Sequence, residues 1–236
     1  MKFQGARALV TGASAGIGIG KAIARGLAAK GVSVTITGRD PGRLERAARE
    51  LGCAHIAADV GLEADCVRSV KEFVAREKRI DILVNNAGIG SFKPLVETEL
   101  SDFEAVWRVN VAGAFLMARE AAKHMLRQKS GNIVNIGSTS GLKGDAGASA
   151  YSSSKFALRA LSECWRAELR RSNIRVIHVN PSEVVTGFGE PPGTPEPLAP
   201  PNKLRPEDIA TAVLGALELD ERGFLPEFAV FATNPF

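Results

Sequence analysis

The feature that most constrains this chain is a regular alternation: short runs rich in β-branched residues, each followed by a longer segment with its apolar residues on one helical face. Strand-like runs stand at about 6–11, 32–37, 54–58, 80–85, 131–137 and 174–180, with a last one near 227–232. Helical patterns fill the intervals at about 18–30, 41–51, 63–78, 99–128, 150–171 and 206–219, and the long fourth one is expected to break near Asn110. A chain of this rhythm joins parallel strands through crossover helices. The expected fold is therefore α/β, a doubly wound parallel sheet of about seven strands with helices on both faces. Ligands of such sheets bind outside the carboxyl ends of the strands, so residues just after each run take the functional reading first.

Bulk properties narrow the class. With 236 residues and 45% apolar content the chain can bury one large core, and a single domain over 1–236 is the expectation. One stretch breaks the rhythm. Between about 187 and 205 stand Pro191, Pro192, Pro195, Pro197, Pro200 and Pro201, too many for a regular helix or central strand, so a surface loop is expected there. The net charge of +4 comes from 30 basic and 26 acidic residues dispersed along the chain, which gives no basic arm for nucleic acid. Cys53, Cys66 and Cys164 are odd in number and lack metal-ligand spacing, which points to a reducing compartment and no metal. No run approaches the ~20 apolar residues of a membrane span. A cytoplasmic protein without a membrane or nucleic-acid partner is expected.

The first strand runs into Thr11-Gly12-Ala13-Ser14-Ala15-Gly16-Ile17-Gly18, and a helix follows. Glycines between strand and helix let the backbone approach a pyrophosphate, whose charge then meets the positive helix end. Two registers compete. Either Gly12, Gly16 and Gly18 are the working trio, or Gly18 and Gly20 take the last two roles in a longer loop. After the second strand, Arg39 can offer a fork of donors to a ribose 2′-phosphate; alternatively it is a solvated turn residue paired with Asp40. Tyr151 and Lys155, four residues apart, share a helix face. A phenol titrates near ~10, and a neighbouring ammonium and the helix N-terminus are both expected to pull it down. An isolated pair at this spacing is ordinarily a surface pair, so the neighbouring motifs decide.

Those motifs carry a family resemblance over most of the chain. Thr-Gly-x-x-x-Gly-x-Gly at the first turn, Asp59 after the third strand, Asn85-Asn86-Ala87-Gly88 after the fourth, Ser138 thirteen positions before Tyr151, and Tyr151-x-x-x-Lys155 together resemble the short-chain dehydrogenase/reductase family, whose fold is Rossmann-like. The resemblance implies an oxidoreductase moving a hydride between NADP(H) and a carbonyl/alcohol pair. It implies catalytic roles for Asn110, Ser138, Tyr151 and Lys155. It implies cofactor contacts from Gly12, Ser14, Gly16, Ile17, Gly18, Arg39, Asp59, Val60, Asn86, Ala87, Gly88, Tyr151, Lys155, Pro181, Val184 and Thr186. Two departures stand out: the inserted Ile19-Gly20, and Ser182 where the family's Pro-Gly-x-x-x-Thr has glycine.

Within the family the chain looks similar to 3-oxoacyl-acyl-carrier-protein reductases and small carbonyl reductases, so a small carbonyl or a 3-oxoacyl thioester is the expected substrate. Its pocket is expected from the proline loop, Phe188, Gly141 and Leu142. Arg127, Lys129, Arg170 and Arg171 could receive an acidic carrier protein, or they are solvated helix ends. The resemblance also implies a homodimer or homotetramer. Two other functional readings stay open: a catalytically silent NADP(H)-sensing regulator, and an alcohol dehydrogenase working in the oxidative direction.

Overall fold

The computed structural model describes residues 1–14, 17–188 and 200–234. Seven strands, β1 (Arg7–Val10), β2 (Ser33–Gly38), β3 (Ala54–Ala57), β4 (Ile82–Asn85), β5 (Gly131–Ile136), β6 (Ile174–Pro181) and β7 (Glu227–Val230), form one parallel sheet in the order β3-β2-β1-β4-β5-β6-β7. The strand order reverses between β1 and β4, and the crevice at such a switch point is where this architecture receives a ligand.

Alternation along the strands sends side chains to two cores. Ala8, Val10, Ile36, Val84 and Val179 face α1 (Ile19–Ala29), α2 (Pro41–Leu51) and α7 (Pro206–Glu218), where Ile23, Leu27, Leu44, Ile209 and Val213 cover them. Leu9, Ile56, Leu83, Ile133 and Val176 face the opposite layer of α3 (Glu63–Glu77), α5 (Ala114–Gln128) and α6 (Ser149–Leu169), against Val70, Phe73, Met117 and Leu158. The ends of α2 show how locally the helices are specified: Asp40 caps the start by accepting from the Arg43 N–H at 2.9 Å, Pro41 opens the first turn, and Gly52 closes it in the left-handed region at φ 61°.

One expectation is corrected. The long fourth helix does not break near Asn110. From α4 (Leu100–Trp107) it continues without a gap into α5 through one widened π-turn, Arg108–Gly113. The turn widens where the helix crosses close to the end of β3: a methyl group on Gly113 would lie 2.9 Å from both the Val60 carbonyl oxygen and its Cγ2. A π-turn keeps the helix axis while displacing the ladder by one residue, which re-aims a side chain. The proline loop expected at 187–205 is described only at its ends; residues 189–199, with Pro191, Pro192, Pro195 and Pro197, lie outside the described residues. Among the described residues no helix is long and apolar enough to cross a membrane.

Candidate active site

The strand ends at the switch-point crevice are tied together by side chains of the Asn85-Asn86-Ala87-Gly88 segment. Asn85 Nδ2 donates to Asn135 Oδ1 at 3.0 Å, tying β4 to β5, and Asn86 Nδ2 donates to the Thr11 and Gly12 carbonyls at 2.9 and 3.0 Å, tying it to β1. The Thr11 hydroxyl accepts from both the Asn86 and Ala87 N–H groups at 3.0 Å. This leaves no room for a side chain at Gly12, which takes φ +66° and would place a methyl group 2.6 Å from the Ala87 Cα.

Gly18 precedes α1 as its extended N-cap, with no side chain capping the helix, and Gly20 packs so tightly on Asn86 that a methyl group there would overlap the amide. Close helix-to-strand packing is the role of the motif's last glycine. The contact at Gly20 is the one that the longer register would need. Gly16 lies outside the described residues, while Ile17 accepts from the Gly187 N–H at 3.3 Å, so the loop before α1 meets the segment after β6.

The other candidate cofactor residues gather at the same strand ends. Ser14 lies against Gly38, where a methyl group would sit 2.6 Å from its Oγ, and next to Gly38 stands Arg39. Arg39 is exposed and makes no ion pair among the described residues, because Asp40 is occupied by Arg43, whose backbone N–H and guanidinium hold that carboxyl below its usual range. The solvated Arg39–Asp40 pair weighed from the sequence is thus absent. Asp59 accepts from the Gly61 N–H at 2.8 Å, with Val60 buried beside it. Beyond β6, Pro181 ends the strand, Val184 bridges to Leu204, and Thr186 accepts from the Phe188 N–H at 3.2 Å. Ser182 replaces the family's glycine without strain, since its φ is not positive.

Asn110, Ser138, Tyr151 and Lys155 come together around Gly88 and the start of α6. The widened turn aims Asn110 back at the loop after β4, where its Oδ1 accepts from the Ile89 N–H and its Nδ2 donates to the Ile89 carbonyl, both at 2.9 Å. Its Nδ2 also donates to Ser154 Oγ at 3.0 Å. A methyl group at Gly88 would lie 3.3 Å from Asn110 Oδ1 and 3.8 Å from Lys155 Nζ, so the missing side chain keeps the space between them open. Ser138 follows β5; its Oγ accepts from the Ser140 N–H at 3.1 Å, and it lies near enough to the Tyr151 hydroxyl to lower that phenol's pKa against the effect of burial.

The electrostatics correct one expectation. Tyr151 is pushed above the usual phenol value by burial, opposed only by the Ser138 hydrogen bond; it is not pulled down. Lys155 lies 5.6 Å from the phenol ring centroid, but its Nζ donates to the Ile136 carbonyl at 2.8 Å, and burial lowers its own pKa to about 8. Desolvation outweighs the expected through-space help.

Beneath the site runs a polar ladder that the sequence did not reveal. Asn85, Asn135, His178 and Glu227 are successive register partners across β4 to β7. Ser162 of α6 accepts from Asn135 Nδ2 at 2.8 Å and lies 3.0 Å from His178 Nδ1. His178 is fully buried, and desolvation drops its pKa to about 4. The unfolded chain therefore takes up this proton first as pH falls, and stability present above about 6.5 is lost on the way down to 4, by about 3 kcal/mol at about 1.4 kcal/mol per pH unit. Urea unfolding between pH 7 and 4.5 is expected to show a shallower loss in His178→Gln than in the wild type. Equal slopes would remove His178 from the acid response.

Comparison with known proteins decides the family. A sequence model of the short chain dehydrogenase family matches residues 6–195. The chain belongs to that family. It is 34% identical over 224 residues to an uncharacterized oxidoreductase of Staphylococcus saprophyticus, covering 92% of this chain and 93% of that one. It is 38% identical over 171 residues to the 3-oxoacyl-[acyl-carrier-protein] reductase of Bos taurus, covering 72% of each. Among solved structures it is similar to an alcohol dehydrogenase from Thermococcus sibiricus complexed with 5-hydroxy-NADP, with TM-score 0.88, 29% identity and 97% of each chain covered. As a short-chain dehydrogenase/reductase the chain is an oxidoreductase.

Proposed function

We propose that this short-chain dehydrogenase/reductase is an NADPH-dependent carbonyl reductase with Asn110, Ser138, Tyr151 and Lys155 as its catalytic set. The observation that carries this reading is the convergence of the four: Ser138 is close enough to the Tyr151 hydroxyl to act on its titration, Lys155 stands 5.6 Å from the phenol ring, and Asn110 Oδ1 and Lys155 Nζ flank the space over Gly88. The crevice fits a dinucleotide: Gly12, Gly18 and Gly20 leave the backbone bare beside an uncapped helix N-terminus, and Arg39 stands free at the end of β2. Gly12, Ser14, Gly16, Ile17, Gly18, Arg39, Asp59, Val60, Asn86, Ala87, Gly88, Pro181, Val184 and Thr186 would hold it, with Tyr151 and Lys155 at its reactive end. When bound, the reduced nicotinamide supplies a hydride.

The protein's own residues handle the proton. The Tyr151 phenol, pushed up by burial, is protonated at neutral pH, the state in which it can donate to a carbonyl oxygen. Ser138 Oγ holds the same oxygen against the phenol. Lys155, drawn close to neutral pH, and Asn110 border the opening over Gly88 through which the proton on Tyr151 is replaced.

Cofactor choice rests on Arg39. A charge-assisted hydrogen bond contributes about 2 kcal/mol, so Arg39→Leu is expected to raise the KM for NADPH about 30-fold and leave that for NADH within a few-fold. Parallel changes for both nucleotides would refute a phosphate-reading role. The function itself is tested by following NADPH and NADH oxidation against a panel of ketones, aldehydes and 3-oxoacyl thioesters; binding of nucleotide without turnover of any of them would favour a regulatory sensor.

A carrier-bound 3-oxoacyl thioester is the second reading, favoured by the likeness to the Bos taurus reductase. A cytoplasmic location and a homodimeric or homotetrameric assembly complete the proposal.

A further inference from the structure

Three apolar side chains, one from each loop that follows β4, β5 and β6, surround the mouth of the site. Phe92, Leu142 and Phe188 are 57%, 43% and 43% exposed, whereas large apolar side chains of the sheet itself are buried. The two phenylalanines flank the phenol almost symmetrically. Phe92 stands 5.3 Å and Phe188 5.5 Å from the Tyr151 ring, centroid to centroid, each tilted by 53°. Gly90 is what lets them converge, since a methyl group there would lie 2.6 Å from Phe92 Cε2 and 3.0 Å from Phe188 Cε1. Of the two lysines adjacent in sequence to these residues, Lys93 is engaged by Asp102 at 2.6 Å, while Lys143, next to Leu142, is exposed and in no ion pair among the described residues.

The four basic residues read from the sequence as a carrier-protein surface stand elsewhere. Arg170 and Arg171 lie past the C-terminal end of α6, and at 1.5 Å per residue Arg170 is about 28 Å along the axis from Tyr151. Arg127 and Lys129 end α5 just before β5 begins, at the opposite edge of the sheet from Ser138, which follows β5.

We infer that Phe92 and Phe188 form an aromatic clamp that selects a free ketone bearing an aryl group next to its carbonyl. The inference rests on the carbonyl-reductase reading and names its substrate class. Tilted aromatic pairs gain from edge-to-face contact beyond the apolar area they cover. A flat aryl group beside the reacting carbonyl takes the place of one phenylalanine against the phenol and stays in contact with both rings. The carbonyl oxygen then meets Ser138 and Tyr151. A branched acyl chain gains no such pairing.

The test uses the full chain with NADPH and three probes: an aryl methyl ketone, a compact aliphatic ketone and a short 3-oxoacyl thioester. The wild type is expected to turn over the aryl ketone with the highest kcat/KM. Phe92→Ala and Phe188→Ala are each expected to lower that value about 10-fold, mainly through KM, and to change the aliphatic ketone less than 3-fold. Phe92→Leu, which keeps apolar bulk without the ring, is expected to resemble Phe92→Ala for the aryl probe. A parallel fall for all three probes would show that the rings only brace Tyr151 and would overturn the clamp, as would wild-type behaviour in Phe92→Leu or a preference for the thioester. Turnover without aryl preference sinks this inference alone, whereas no turnover of any carbonyl removes the reductase reading beneath it.

Discussion

Tyr151→Phe is expected to reduce carbonyl turnover by about three orders of magnitude, within the range of ~10² to 10⁴ that a positioned proton donor contributes, while nucleotide affinity stays within about 2-fold. The substitution deletes one oxygen and little else. The ring keeps its packing between Phe92 and Phe188, and α6 keeps its seat, because the backbone carbonyl of Tyr151 still accepts from Ser154 Oγ at 2.7 Å. What is lost is the phenolic proton beside Ser138. Stopped-flow or steady-state assays of NADPH oxidation, alongside nucleotide titration, separate the two effects. Retention of more than a tenth of wild-type turnover would remove Tyr151 from the chemistry, and a large loss of nucleotide affinity would make it a binding residue. Tyr151 is the chain's only tyrosine, so its ionisation can be followed optically. In the ligand-free protein that titration is expected to fall above the ordinary phenol value, since burial is the largest influence on it.

Much of this was legible in the sequence because the relevant signals are local. The strand–helix alternation placed all seven strands within about two residues of their positions, since strands buried on both faces need unbroken β-branched runs and helices need their period of 3.6. The four proposed catalytic residues carry motifs whose spacing follows strand ends and helix turns, and they do converge. What escaped depends on contacts between distant segments. The helix around Asn110 looked breakable because Asn and Gly are poor helix formers; only the approach of Gly113 to Val60 shows that a widened turn is accommodated instead. The contact that the longer glycine register would need joins Gly20 to Asn86, sixty-six positions later in the chain. Phe92 carried no motif, and its nearness to Tyr151 exists only once three loops share one end of the sheet. His178 was hidden for the same reason, since a histidine in a β-branched run shows neither its cross-strand partners nor its burial. The direction of the Tyr151 shift was misread because distance to an ammonium is a matter of sequence spacing, whereas desolvation is a property of everything packed around the ring.

Lys155→Met is expected to abolish most activity and at the same time make the ligand-free protein more stable. Lys155 is 5% exposed, and the acceptor found for its amine is the Ile136 carbonyl at 2.8 Å. With no carboxylate beside it, burial lowers its pKa to about 8. The sign follows from linkage. The unfolded chain holds this proton up to about 10.5, so at neutral pH, where both states are charged, folding carries the full burden of burying the charge, about 3 kcal/mol at about 1.4 kcal/mol per pH unit. That burden lifts as pH rises from 8 towards 10.5. Methionine fills similar volume without charge and forfeits one hydrogen bond of about 1 kcal/mol, which leaves a net gain of about 2 kcal/mol and a Tm higher by about 6 °C for a chain of this size. The gain should hold up to about pH 8, vanish near pH 10 and turn into a loss of about 1 kcal/mol above that, where the lysine is uncharged in both states and only its hydrogen bond is forfeited. Thermal melts across that range, set beside NADPH oxidation rates, check both halves. A variant that is less stable at pH 7 would mean that Lys155 is held for packing. A variant that is more stable but nearly inactive would mean that the fold tolerates a buried charge at this one place because the proton on Tyr151 has to be replaced from it.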